Sequence, residues 1–315
     1  MSIYKSNFPH GIMFHHFHGE GSVVHPSGEG SLSADDLANM IEFLGGKRFI
    51  LDVEKWLNKA LTGKLENKDI FLSFDDSLLC QIEIAEPVLD SFNIKGAFFV
   101  YSYVLEGNMS RLELYRIFRN KYFSRFSDFF NTFLNYKSKF SDKIKKAIKY
   151  FPEEYLIEHK CYSKEDRIFR YIRDMCLEKK EYEYIMDGLV DEYGGLEKLG
   201  VNRWMNDNDL INLKKKGHII GLHSHSHPNK LEILSYNEQK SEYLKNKRHI
   251  EKVVGKQNFL IAAHPSNSYN NKTLSILDSL GVDLAFCSSM VGGVKGKFKY
   301  PREDHVNILK SMSES

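Results

Sequence analysis

Residues 70–74, Ile-Phe-Leu-Ser-Phe, make a short apolar run that stops at two adjacent acids, Asp75 and Asp76. A second run, from His218 to Leu222, stops in the same way at His-Ser-His-Ser-His, residues 223–227. Continuous apolar runs of this length, rich in β-branched and aromatic residues, read as strands buried in a parallel sheet. Polar, chemistry-bearing residues right behind them then lie at the carboxyl ends of those strands. That is the rim on which barrels and open α/β sheets place their sites.

The rest of the chain keeps a β/α rhythm. Residues 11–16 read as a first strand ending in histidines, and Ser33 with Asp36 caps a helix running to about Leu44. A short strand at 49–51, a helix over 53–61, the strand at 70–74, a helix over 78–92 and a strand at 96–102 follow. After residue 202 come a helix ending at Gly217, the strand 218–225, a long helix capped by Ser235 and Glu238, a strand at 259–265, a helix over 271–281 and a strand at 282–288. The stretch from Pro301 begins ordered in character and ends in a small polar tail expected to fray. Residues 108–202 break the rhythm and form a mainly helical insertion. Residues 115–151 hold 12 Phe or Tyr, and residues 111–149 hold 11 Lys or Arg against 3 acids.

Composition removes several alternatives. With 13% aromatics and 7 Pro, the 315-residue chain is neither disordered nor collagen-like, and it can bury a substantial core as one barrel or two domains. A formal charge of +2 gives no whole-molecule field for nucleic acid. Cys80, Cys161, Cys176 and Cys287 are far apart without CxxC spacing and read as ordinary thiols. No run of 18 apolar residues occurs and no apolar segment follows the first Lys, so the expectation is a soluble, cytoplasmic protein without an integral membrane segment.

Neighbouring acids at a strand end point in different directions, so one can hold a metal while the other faces substrate or water. The competing reading is a helix cap beside a solvated acid. His223 and His227, four apart, are close enough to converge on one ion as the chain leaves its strand, unless the segment is a His-rich surface loop. Imidazoles with a carboxylate suit zinc, iron, cobalt or nickel better than calcium or magnesium. His225 lies between them on the alternate side, as a bystander or a group behind the ligands. Of His15 and His16 at the end of the first strand, only one points inward.

Phe-Leu-Ser-Phe-Asp-Asp-Ser at 71–77 and Gly-His-Ile-Ile-Gly-Leu-His-Ser-His-Ser-His-Pro at 217–228 resemble the first and second motifs of the polysaccharide deacetylase family, the NodB homology domain of carbohydrate esterase family 4. The likeness extends to 203–216 and to 262–287, and covers most of 68–107 and 203–288. It implies a distorted (β/α) barrel, here a single one over 1–315 with 108–202 inserted. It also implies Asp75 as catalytic base, and Asp76, His223 and His227 as ligands of a divalent ion, zinc first among the candidates with cobalt, nickel or iron as alternatives. The activity implied is hydrolysis of the acetamide of an N-acetylated amino sugar, in which metal-activated water attacks as Asp75 takes its proton, within bacterial surface polysaccharide synthesis.

Ser77 stands where the family has Gly. His264 and Ser266 stand in a third motif that lacks its Arg, and Arg302 is the candidate to supply that positive charge to Asp75. His264 and His305 are candidates to protonate the leaving amine. His16 and His225 are candidate substrate contacts. The basic, aromatic insertion suggests an anionic partner: a nucleotide-linked or lipid-linked saccharide, a membrane face touched peripherally, or a protein. The alternatives to a deacetylase are a silent barrel that binds a saccharide or partner, and a deformylase or other amidohydrolase on the same scaffold.

Overall fold

The computed structural model describes residues 7–28, 30–157, 162–200 and 202–314. Cys161, the first six residues and Ser315 lie outside the described residues. The chain separates into two compact units, residues 1–108 with 202–315, and residues 109–201.

In the first unit, β1 (His10–Phe14) is followed by α1 (Ala34–Phe43), α2 (Val53–Leu61) and β2 (Ile70–Asp75). A π-turn over Gln81–Ala85 leads into α3 (Glu86–Ser91), then β3 (Ala97–Val100) and α4 (Ser102–Leu105). The second unit contains α5 (Arg111–Tyr122), α6 (Phe126–Asn135), α7 (Ser141–Lys149), α8 (Lys164–Tyr171), a second π-turn over Ile172–Cys176, α9 (Lys179–Glu192) and α10 (Glu197–Gly200). The first unit resumes with α11 (Asp207–Lys215), β4 (Ile219–Leu222), α12 (Tyr236–Val254), β5 (Ile261–Ala263), α13 (Asn271–Ser279), β6 (Leu284–Phe286), β7 (Arg302–Asp304) and α14 (His305–Ser313).

The seven strands pair in parallel in the order β6-β5-β4-β3-β2-β1-β7. A bridge between Phe286 and Tyr300, just ahead of β7, nearly closes the sheet into a barrel. Alternation along the strands builds two apolar layers. Phe71, Ala97, Phe99, Ile261 and Phe286 pack with Trp56 of α2 in the inner one. Ile12, Leu72, Phe74, Phe98, Ile220 and Leu222 turn outward against the helices. Gly221 is required in β4 because a Cβ there would run into the Phe99 ring.

Reciprocal capping boxes at Ser33–Asp36 and Ser235–Glu238 start α1 and α12 where the sequence places them. Two elements differ. Residues 49–51 form no strand: Ile50 makes an isolated bridge to Ile70, because a turn before it and the start of α2 at Val53 leave no length for a ladder. Residues 302–304, Arg-Glu-Asp, do form one. Its polar sequence hides it from a search for apolar runs, and its pairing with β1 brings Arg302 inside the barrel.

Candidate metal centre and active site

β2 delivers the two acids. Asp75 ends the strand and is 2% exposed. Asp76 and Ser77 follow with φ of +78° and +57°. Plain strand alternation would send the two carboxylates apart, but this left-handed turn brings Asp76 Oδ1 within 3.4 Å and Asp75 Oδ2 within 4.0 Å of one atom, His223 Nε2. Strained backbone of this kind persists where the surroundings hold it. Ser77, fully buried, accepts a hydrogen bond from the Tyr101 N–H at 3.1 Å and donates to the Tyr101 carbonyl at 3.4 Å, tying the ends of β2 and β3 together.

β4 delivers the histidines, and α12 shapes their loop. Asn246 accepts from the His223 N–H at 3.0 Å and donates to the Val100 carbonyl at 3.0 Å. One turn earlier, Glu242 accepts from the N–H groups of His225 (3.0 Å) and Ser226 (2.7 Å) and from the Ser226 hydroxyl (2.9 Å). The motif reading did not find either residue. Their i, i+4 spacing puts them on one helix face, but nothing local shows which loop that face meets.

The ring orientation of His223 follows from its back side. Its Nδ1 lies 3.0 Å from the Ala263 carbonyl, which can only accept, so Nδ1 carries the proton and Nε2 presents a lone pair forward. His227 Nε2 lies 3.3 Å from the same Asp76 Oδ1. That oxygen is buried and has no hydrogen-bond partner. The ligand atoms of Asp76, His223 and His227 all lie within 4.8 Å of one another, forming a three-donor group among the described residues. A buried carboxylate oxygen facing imidazole lone pairs is repulsive unless a proton or a metal cation lies between them, and two nitrogens with one oxygen are a donor set that fits a transition-type divalent ion. The electrostatics agree. Burial opposes ionisation of Asp76, yet His227, His223 and His15 hold its carboxyl far below the ordinary range. Burial likewise opposes charge on His223, but Asp75 and Asp76 outweigh it and raise the imidazole's pKa, whereas in His227 burial prevails and lowers it.

Asp75 belongs to a different partnership. Arg302 Nη1 and Nη2 donate to its two oxygens at 2.7 Å each, a bidentate pair with both partners buried. Arg302 also donates to Ser73 Oγ (3.2 Å) and to the Cys287 carbonyl (3.2 Å), and its guanidinium lies 5.1 Å from the Phe99 ring centre. Gly11 leaves room for the arginine stem, which a Cβ would meet at 3.0 Å. Burial pushes the Asp75 pKa up, but Arg302 and His223 pull it below the usual carboxylate value.

His15 joins the cluster, with the His16 ring stacked on it at 6.1 Å between centroids. β1 and β2 run in register through Phe14 and Phe74, so His15 comes level with Asp75 one step on. His15 Nε2 lies 4.0 Å from Asp76 Oδ2, and its side chain is 28% exposed. Gln81, buried in the π-turn, donates to the His15 carbonyl at 2.9 Å and also to the Asp75 carbonyl, fastening the two strand ends.

Three other histidines are placed away from these roles. His305 turns Nδ1 to the Met13 carbonyl (3.2 Å) and Nε2 to the Gly30 carbonyl (2.7 Å) and stacks on Phe14, so it holds backbone instead of facing a leaving group. His264 is 1% exposed, donates from Nε2 to the Phe298 carbonyl (2.9 Å) and lies stacked 4.2 Å from Tyr269. Burial closes the ring to solvent and lowers its pKa to about 4, which keeps it neutral. His225 Nδ1 meets Ser102 Oγ at 2.9 Å and lies 3.9 Å from Glu106, on the far side of the loop from the ligand group.

Known proteins match this architecture. The fold is shared with the Streptococcus pyogenes deacetylase PplD solved with acetate, at 15% identity over 98% of this chain and 99% of that one, with a TM-score of 0.55. It is shared with IcaB from Ammonifex degensii at 12% identity, over 99% of each chain, with a TM-score of 0.57. A de-N-acetylase from Aggregatibacter actinomycetemcomitans matches at 12% identity over 96% and 98%, with a TM-score of 0.55. No curated protein sequence matches significantly. Residues 183–285 match the family described as polysaccharide deacetylase, and they lie in a chain whose (β/α) barrel is of the NodB type.

Proposed function

We propose that the barrel is a metal-dependent deacetylase that hydrolyses the acetamide of an N-acetylated amino sugar within a saccharide. The observation that carries this is the unpartnered Asp76 Oδ1 between the Nε2 atoms of His223 and His227, with an ionised Asp75 alongside. Asp76, His223 and His227 would hold the ion, zinc first and cobalt, nickel or iron next. Such an ion, when bound, acidifies water toward a pKa near 7 and polarises a carbonyl.

The chain's own residues do the rest. Hydrolysis forms a bond from water oxygen to the acetyl carbon and breaks the C–N bond, giving acetate and a free amine. Asp75 Oδ2, the oxygen nearest His223, takes the water proton. A carboxylate held by a bidentate arginine is a weak base, so Asp75 serves only where the water is already acidified. Arg302 keeps it ionised and aimed. The amine must leave protonated, and His15 is the imidazole beside the cluster that solvent reaches, which makes it the proton donor in preference to His264 or His305. The assignment to surface polysaccharide synthesis rests on the family alone.

Purified protein loaded with zinc, cobalt or nickel is expected to release acetate from N-acetylated oligosaccharides. Chelation or Asp76→Ala is expected to lower kcat/KM by about 10³-fold or more, because several kcal/mol of transition-state stabilisation go with the ion. Activity surviving both treatments would sink the proposal, and metal bound without turnover on any acetylated sugar would favour a silent scaffold.

A further inference from the structure

Outside the barrel, one surface combines features that the deacetylase chemistry does not use. Residues 137–149 carry six lysines and one aspartate. Within that span α7 buries Ile144 and Ala147 in its own unit and leaves Lys143, Lys145, Lys146, Ile148 and Lys149 exposed. Its nine residues span about 13 Å at 1.5 Å each. A tyrosine stands beyond each end. Tyr150, at the last turn, is 62% exposed with the Lys149 ammonium 5.4 Å from its ring centre. At the first turn Tyr184 of α9 is 52% exposed, packs edge-on against Phe140, and has the Lys139 ammonium 5.2 Å from its ring centre.

A charge run alone is a solvated helix face. Here the lysines alternate with an exposed isoleucine and are bracketed by two exposed tyrosines, each an apolar ring with a polar hydroxyl. That combination suits the boundary between headgroups and acyl chains: lysines meet anionic headgroups, Ile148 and the two rings enter the boundary, and the phenols stay with water. A soluble anion would use the lysines and leave Ile148 and the tyrosines exposed to no purpose. We infer that α7 with Tyr150 and Tyr184 is a docking strip for an anionic lipid surface. The inference is independent of the barrel's chemistry.

Vesicle co-sedimentation of the full chain tests it, using phosphatidylcholine vesicles with and without phosphatidylglycerol. The protein is expected to sediment with the anionic vesicles, not with pure phosphatidylcholine, and to be released as salt rises. Each membrane-facing lysine removed should weaken partition about fivefold. The triple variant Lys145→Gln, Lys146→Gln, Lys149→Gln should therefore lose more than about a hundredfold, with circular dichroism and acetate release from a soluble substrate unchanged. Ile148→Ser with Tyr150→Ser should weaken binding while leaving its salt dependence in place. Equal binding to neutral and anionic vesicles, or a triple variant that binds like the wild type, overturns the inference. Binding of inorganic polyphosphate with no vesicle binding also overturns it, and assigns the strip to a soluble anion.

Discussion

Residues 109–201 bury rings against rings. Phe169 of α8 lies edge-on to Phe126, Phe129 and Phe133 at centroid distances of 5.7, 5.2 and 5.1 Å, and Phe118 meets Tyr193 at 5.2 Å. The barrel also buries aromatics, but among them it hides Asp75, Arg302, His10, His218, His223, His264 and Glu86. Backbone strain divides the same way. Asp76, Ser77, Ser224, His227, Ser266 and Asn267 all adopt positive φ near the carboxyl ends of β2, β4 and β5, whereas Leu156 is the one such non-glycine residue described within 109–201. Edge-to-face ring pairs add about 0.5–1.5 kcal/mol each beyond their burial and carry no charge to compensate. Buried ions and left-handed side chains cost stability, and the rim where Asp75, Arg302 and His223 meet the left-handed turns after β2, β4 and β5 is where the fold trades stability for chemistry.

Acid should separate the two units most sharply. Burial lowers the pKa of both His10 and His218 to about 4, far from the metal group at the opposite ends of their strands. The unfolded chain therefore binds more protons than the folded one between about pH 6.5 and 4, and stability must fall as pH falls through that window. The loss is on the order of 2–3 kcal/mol per histidine. Residues 109–201 contain a single histidine, His159, which lies outside the described residues, against the buried His10 and His218 of the barrel, and near-ultraviolet signals from the ring cluster should outlast amide protection in the barrel strands. Loss of both together at one pH would erase the distinction.

Arg302→Met comes next. It leaves Asp75 as an uncompensated buried charge, and chemical denaturation should show a loss of about 3–5 kcal/mol. A loss under 1 kcal/mol would mean that solvent reaches the pair. Glu242→Ala removes the acceptor of three loop hydrogen bonds. By analogy with other groups that support metal ligands it should weaken zinc affinity about 10- to 100-fold in a chelator competition, with Glu242→Gln restoring part of it. Unchanged affinity would show that the loop holds its shape alone. The smallest effect is expected for Ser77→Gly, which relieves positive φ but gives up the two contacts to Tyr101. The opposing terms should leave the unfolding free energy, read by chemical denaturation, within about 1 kcal/mol of wild type.

Much of the barrel was legible because its strands are apolar and its helix caps are local: Ser33–Asp36 and Ser235–Glu238 are readable from spacing alone. The ligand group was legible because both motifs end strands. His15 was the harder case. Choosing it over His16 requires knowing that β1 and β2 run level, so that His15 falls beside Asp75, and register belongs to the sheet and not to either strand. β7 escaped because Arg-Glu-Asp carries no apolar signal, and its arginine is buried only through the aspartate it meets. Glu242, Asn246 and Gln81 act on backbone groups of distant segments, which leaves no trace in local pattern.

That last strand also sets an order of events. Asp75 and Arg302 are 227 residues apart in the chain, and β7 takes its place in the sheet by pairing with β1. At about 5–20 residues per second, a ribosome needs roughly 10–45 s to reach the arginine after completing the aspartate. Throughout that interval the emerging barrel has an open seam beside β1 and a carboxylate without its counter-ion. The barrel is therefore held from its final form until β7 emerges, and the strand that closes the seam also completes the Asp75–Arg302 pair.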